Sequence, residues 1–223
     1  EPYEQAFVQD IASPLVLTIL PRNAFTVNST ADTPDANPGD GICADASGAC
    51  TLRAAIQEAN ARLNLAGGPD LIEFKIPGPG PYTIQPLSAL PAITESVVLD
   101  ATPQAGYAGT PIVELIGSSA GAGVSGLRTT TGVNTIKGLA LNRFASSGIL
   151  VQTGGGNTIE GNFLGLTPAG TVAPNGTSGI EIRTTGNTIG GTEAGNVISG
   201  NTQFGILLTG DTNTILSNRI GTN

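Results

Sequence analysis

Apolar residues follow two different rhythms along this chain. Ile72, Phe74 and Ile76 alternate with Glu73 and Lys75, the period-two pattern of a strand with one buried face. Residues 82–84 and 97–99 carry the same strand-forming types, and residues 77–81, rich in proline, read as a turn. Residues 51–62 change the rhythm: Leu52, Ala55, Ile56 and Ala59 fall at i, i+3, i+4 and i+7, one apolar stripe on a helix. Thr51 offers an N-cap hydroxyl, and Gly67-Gly68-Pro69 a stop beyond it. An array of strands leaves exposed backbone at its end. The stripe therefore predicts a cap, with Leu52, Ile56 and Ala59 packed over the N-terminal end of the strands that follow.

From residue 126 onward one unit recurs. Gly126-Leu127-Arg128, Gly148-Ile149-Leu150, Gly179-Ile180-Glu181 and Gly205-Ile206-Leu207 are each followed, 8, 9, 8 and 8 residues after the glycine, by Asn134, Asn157, Asn187 and Asn213. Each of these asparagines opens the triplet Asn-Thr-Ile. The glycines are 22, 31 and 26 residues apart. Short strands at such a period indicate a β-solenoid. Ile149 and Val151, Ile180 and Ile182, and Ile206 and Leu208 would point inward and stack, while the variable stretch 167–178 would leave one corner as a loop. Asparagine tolerates sharp corners, and stacked amides can join one rung to the next. The other reading of the asparagine row is a binding surface for a ligand.

Composition narrows the class. Charged residues are 12% of the 223 and glycines number 32, which suits strands joined by tight turns. The fold class expected is all-β, a parallel β-helix with an N-terminal capping α-helix. Three regions separate: a lead segment 1–23, a cap region 24–69 and the coil 70–223. With a net charge of −8 and nine basic residues in all, no nucleic-acid surface is expected. Residues 11–20 are apolar but only ten long and contain Pro14, so no transmembrane segment is expected. Ile11, Leu15, Leu17 and Ile19 make that stretch an aggregation hazard if solvated. It would either fold back as a strand or be donated to a neighbouring copy, giving a head-to-tail filament.

Two features belong to residues 32–50. Cys43 and Cys50 have six residues between them and no histidine exists anywhere, which excludes a zinc site. A local disulfide would contribute about 2.5 kcal/mol and imply export; a pair of buried free thiols is the alternative. Asp32, Asp35, Asp40 and Asp45 lie among Asn37, Gly39 and Gly41. Oxygen ligands on a glycine-rich loop suit Ca²⁺, although the spacing is not that of an EF-hand. Asp32, Asp35 and Asp40 are the candidate ligands, and a solvated acidic loop pinned by a disulfide is the alternative. Asn28-Ser29-Thr30 and Asn175-Gly176-Thr177 have the form of glycosylation acceptors.

Phe25-Thr26-Val27-Asn28-Ser29-Thr30-Ala31-Asp32, Pro38-Gly39-Asp40-Gly41-Ile42-Cys43 and Cys50-Thr51-Leu52-Arg53-Ala54-Ala55-Ile56-Gln57-Glu58-Ala59-Asn60 together resemble the CSLREA-type domain that opens many exported bacterial and archaeal proteins. Residues 87–94 look like its usual continuation, and residues 126–223 are similar to the parallel β-helix repeats that commonly follow. The resemblance implies export, a right-handed coil and a surface role; it supplies no reaction. Residues 1–23 lie outside the pattern, and the chain ends in mid-repeat.

Parallel β-helices include polysaccharide lyases and glycosidases, so an enzyme is one reading of the chain. Without histidine, and with Ile where an Asn-Thr-Asp signature would place its carboxylate, the polygalacturonase set is missing. Glu160 and Glu181 are the one carboxylate pair to check for glycoside hydrolysis. The expectation is a secreted or cell-surface structural or adhesive protein that is not an enzyme, with itself and surface glycans as candidate partners. The rival is a polysaccharide-binding or polysaccharide-degrading protein; three Tyr, six Phe and no Trp are few aromatics for a sugar platform.

Overall fold

The computed structural model describes residues 22–192 and 194–221. The chain winds through three parallel sheets, and from β4 (Val97–Asp100) onward each complete coil adds one strand to each. The first sheet holds β1 (Ala24–Val27), β2 (Asp70–Phe74), β4 (Val97–Asp100), β7 (Thr135–Lys137), β10 (Thr158–Glu160), β13 (Thr188–Ile189) and β16 (Thr214–Ile215), neighbours in that order. The second holds β3 (Tyr82–Ile84), β5 (Val113–Ile116), β8 (Leu139–Asn142), β11 (Phe163–Leu164), β14 (Val197–Ile198) and β17 (Arg219–Ile220). The third holds β6 (Leu127–Thr129), β9 (Ile149–Val151), β12 (Ser178–Ile182) and β15 (Phe204–Leu208). None of the three closes on itself.

Register follows from the alternation. Phe25, Ile72, Leu99, Ile136, Ile159, Ile189 and Ile215 stand opposite one another down the first sheet. Ile84, Leu115, Leu141, Leu164, Ile198 and Ile220 do so down the second, and Leu127, Ile149, Ile180 and Ile206 down the third. A one-residue slip would turn every one of these side chains outward. The predicted inward residues Ile149, Val151, Ile180 and Ile182 are fully buried. Ile206 is half-buried and Leu208 is 37% exposed, because no described coil lies beyond β15. Residues 167–177 lie between β11 and β12, and Ser178, expected in the loop, is already the first residue of β12.

Helix α1 (Leu52–Ala61) is the one α-helix among the described residues. The Thr51 hydroxyl accepts from the Ala54 N–H at 3.0 Å. The helix ends at Arg62, whose backbone is extended, five residues before the glycine pair that the sequence offers as a stop. Leu52, Ile56 and Ala59 are buried in one cluster with Phe25, Val27 and Ile72, so α1 lies against β1 and β2 at the first-coil end. No described helix is long and apolar enough to cross a membrane.

Candidate functional site

Asn134, Asn157, Asn187 and Asn213 form a column at the corner that precedes the first sheet. Each donates its backbone N–H and its Nδ2 to the Oδ1 of the next: 3.0 and 2.8 Å from Asn134 to Asn157, 3.0 and 2.7 Å to Asn187, 2.9 and 2.8 Å to Asn213. Val97 N–H donates to Asn134 Oδ1 at the head of the column. Two further columns went unread in the sequence. Asn162, Asn196 and Asn218 repeat the geometry at the second corner, with Leu139 N–H at their head. Asn175 and Asn201 do so at the third, below the Phe144 N–H. A signal existed for the second column: Asn162, Asn196 and Asn218 each stand two residues before Leu164, Ile198 and Ile220 of the inward ladder. Asn134, Asn157 and Asn187 of the first column, Asn162 and Asn196 of the second and Asn175 of the third are sealed from water.

The acidic loop is organised by carboxylates that accept N–H groups. Asp35 accepts from the Asn37 and Ala44 N–H groups at 2.8 and 3.1 Å. Asp40 accepts from the Ile42 N–H at 2.8 Å. Asp32 pairs side-on with Arg53 at 3.0 and 2.9 Å and accepts from the Leu87 N–H. The Ser47 and Thr33 hydroxyls and the Ala49 N–H converge on Asp45 and hold its carboxyl well below the usual range. No three carboxylates, cysteines or histidines among the described residues gather to hold a metal ion. Asp32, Asp35 and Asp40, the candidate calcium ligands, each accept from separate donors.

Two residues that the sequence left unassigned join the loop to the helix. Glu58, fully buried on α1, accepts from the Gly39 and Gly41 N–H groups. Arg53 also donates to the Ser88 and Ala89 carbonyls at 3.0 Å, which ties residues 87–89 to the cap. Cys43 and Cys50 form a disulfide with Cα atoms 5.1 Å apart. Asn28 is exposed, and its Oδ1 accepts from the Cys50 N–H. Asn175 is buried inside its column. Ile11, Leu15, Leu17 and Ile19 lie outside the described residues.

The carboxylate pair is not assembled. Glu160 ends β10 in the first sheet and Glu181 sits in β12 of the third. Glu181 is held by Arg183 at 2.7 Å and by the Ser147 hydroxyl at 3.2 Å. Glu160 instead continues a charged row in register with Asp100 and Lys137, where Lys137 Nζ pairs with Asp100 at 3.0 Å. Beside this row, the loop after β4 lays Tyr107 along the corner between the first and second sheets. Burial raises the pKa of its hydroxyl, and the Asp100 and Glu160 charges add to that against Lys137. Tyr107 forms one wall of a groove of about 500 Å³ whose floor includes Phe163, Val197 and Arg219, with Thr192 and Ser217 at its sides.

No protein-family model matches the sequence, and no curated protein matches it significantly.

Proposed function

We propose that the chain is an exported structural module, a right-handed parallel β-helix that keeps a fixed shape outside the cell and presents its outer faces at a cell surface. The observation that carries this reading is the set of three asparagine columns, whose buried amides join coil to coil at every corner. Several carboxylates are engaged in holding the scaffold: Glu58 and Asp35 organise the cap loop, and Glu181 pairs with Arg183. The disulfide supports export, since such bonds persist in oxidising compartments. Right-handed winding rests on the steric rule that parallel strand crossovers take that hand in about 98% of cases.

Fractionation of producing cells, with mass spectrometry of unreduced peptides and electron microscopy of the native material, tests the reading. The expected result is surface or secreted rods, single or joined end to end, yielding a linked Cys43–Cys50 peptide. Cytosolic protein with two alkylatable thiols would overturn it.

A further inference from the structure

We propose that the groove beside Tyr107 binds a neutral oligosaccharide. The starting observation is an inventory of unmet polar groups. The Tyr107 hydroxyl and the Arg219 guanidinium have no hydrogen bond or ion pair among the described residues, as is also true of the charged side chains of Glu73, Lys75, Glu95, Glu160 and Asp211, but Tyr107 and Arg219 share one groove. The groove that both line measures about 500 Å³, within the size range of small-molecule sites, roughly 300–1,000 Å³, and Glu160 lies close enough to Tyr107 for its charge to act on the hydroxyl.

The floor is graded by register. Phe163, Val197 and Arg219 are direct neighbours on β11, β14 and β17, so an aromatic face passes into an aliphatic side chain and then a cation, one step per coil. The wall is set by a corner glycine. Gly161 has φ +63°, and a Cβ there would meet the Tyr107 hydroxyl at 3.8 Å and Ala194 at 3.5 Å. Both are ordinary contact distances, so it is the positive φ rather than crowding that favours glycine at this corner. Glu160 lies under the neighbouring turn, with its Oε2 at 2.6 Å from where a Cβ on Gly191 would stand.

These groups select a ligand class. Aromatic rings take an apolar face while hydroxyls and charges take the edges. The Arg219 guanidinium donates hydrogen bonds, and the Thr192 and Ser217 hydroxyls donate and accept them, so together they suit vicinal hydroxyls, which do both. A wholly apolar ligand would leave Thr192, Ser217 and Arg219 desolvated without partners. The net charge of −8 opposes a polyanion. A neutral sugar chain lying across successive coils meets each condition, and the scaffold reading stands whether or not the groove binds it.

Isothermal titration calorimetry on the full chain tests this with cellohexaose, xylohexaose, maltohexaose and laminarihexaose, and with oligogalacturonate as the charged comparison. At least one neutral probe should bind with Kd between about 10 μM and 1 mM. Arg219→Gln and Tyr107→Ala should each weaken that binding by about tenfold or more with the thermal transition retained. Tyr107→Phe, which keeps the ring, serves where Tyr107→Ala does not fold, and should weaken binding less than loss of the ring would. Three results overturn the proposal: no heat from any neutral probe at about 5 mM, binding undiminished in the Arg219 and Tyr107 variants, or tighter binding of the oligogalacturonate.

Discussion

Asn157 illustrates what one side chain holds in this fold. Its Oδ1 receives two donors from Asn134, and its own N–H and Nδ2 reach Asn187. Asn157→Ala strands buried donors on the coil above, at about 1–3 kcal/mol for each group left unpaired. The expected loss is about 2–4 kcal/mol in urea unfolding. Asn213→Ala, in the partly exposed last coil, should lose much less because water replaces the amide. Equal losses would show that the column does not derive its strength from burial. Asp70 presents the opposite case. It is fully buried, Asn23 donates to Oδ1 at 2.8 Å, and Oδ2 has no partner. Burial raises its pKa above the ordinary 3.8. The folded state therefore favours the protonated form, so this group's contribution to stability is full below the unfolded pKa and is lost as pH rises through the raised one. Asp70→Asn should raise the urea midpoint at pH 7, and the gain should shrink as pH falls toward 4. A lower midpoint at pH 7 would contradict this.

At the scale of elements, α1 and the loop before it behave as one cap. The apolar stripe covers the first coil while Glu58 and Arg53 fasten the loop and residues 87–89 to the helix. Ile56→Ala should cost about 2–4 kcal/mol, the usual penalty for deleting a buried aliphatic side chain. Ile56→Asp should expose the first-coil edge and cause aggregation, which light scattering during a thermal ramp would detect. Removing the disulfide by Cys43→Ser with Cys50→Ser should lower stability by about 2.5 kcal/mol, read as a shift of the urea midpoint against the oxidised protein. Added Ca²⁺ should leave the melting temperature unchanged at millimolar concentration, since Asp32, Asp35 and Asp40 face separate donors.

Over the whole molecule, the two described ends of the coil differ. At the first, α1 buries the apolar ladder; at the last coil, Phe204, Leu208, Ile215, Leu216 and Ile220 are between 37% and 48% exposed. The edges of three parallel sheets coincide there, and such edges pair with other chains. This chain expressed alone should self-associate with rising concentration. Leu208→Lys with Ile215→Lys and Ile220→Lys should keep it monomeric in analytical ultracentrifugation without lowering the core's stability. Association that persists in the triple variant would place the contact elsewhere.

The sequence by itself showed the helix, the strands near residues 72–76, 82–84 and 97–99, the recurring strands of the third sheet and one of the three corners. Alternation at residues 72–76 and the stripe at residues 52–59 act within one element, so local spacing is enough to show which face is buried. The Asn-Thr-Ile triplets announced the first column because the same three residues recur before the same inward isoleucine. The tertiary structure decided everything that depends on how coils of unequal length are laid one on another. Asn162 and Asn196 are 34 residues apart and Asn196 and Asn218 only 22, so loop length hid the second column from any fixed period. The carboxylates of the cap loop found backbone donors rather than one another, because a short loop closed by the disulfide turns its N–H groups inward. Glu160 and Glu181 look like a pair in one dimension, yet a corner lies between their strands and sends them to different sheets. Tyr107 meets Arg219 across one groove, although 112 positions separate them in the sequence, because stacking brings those coils side by side.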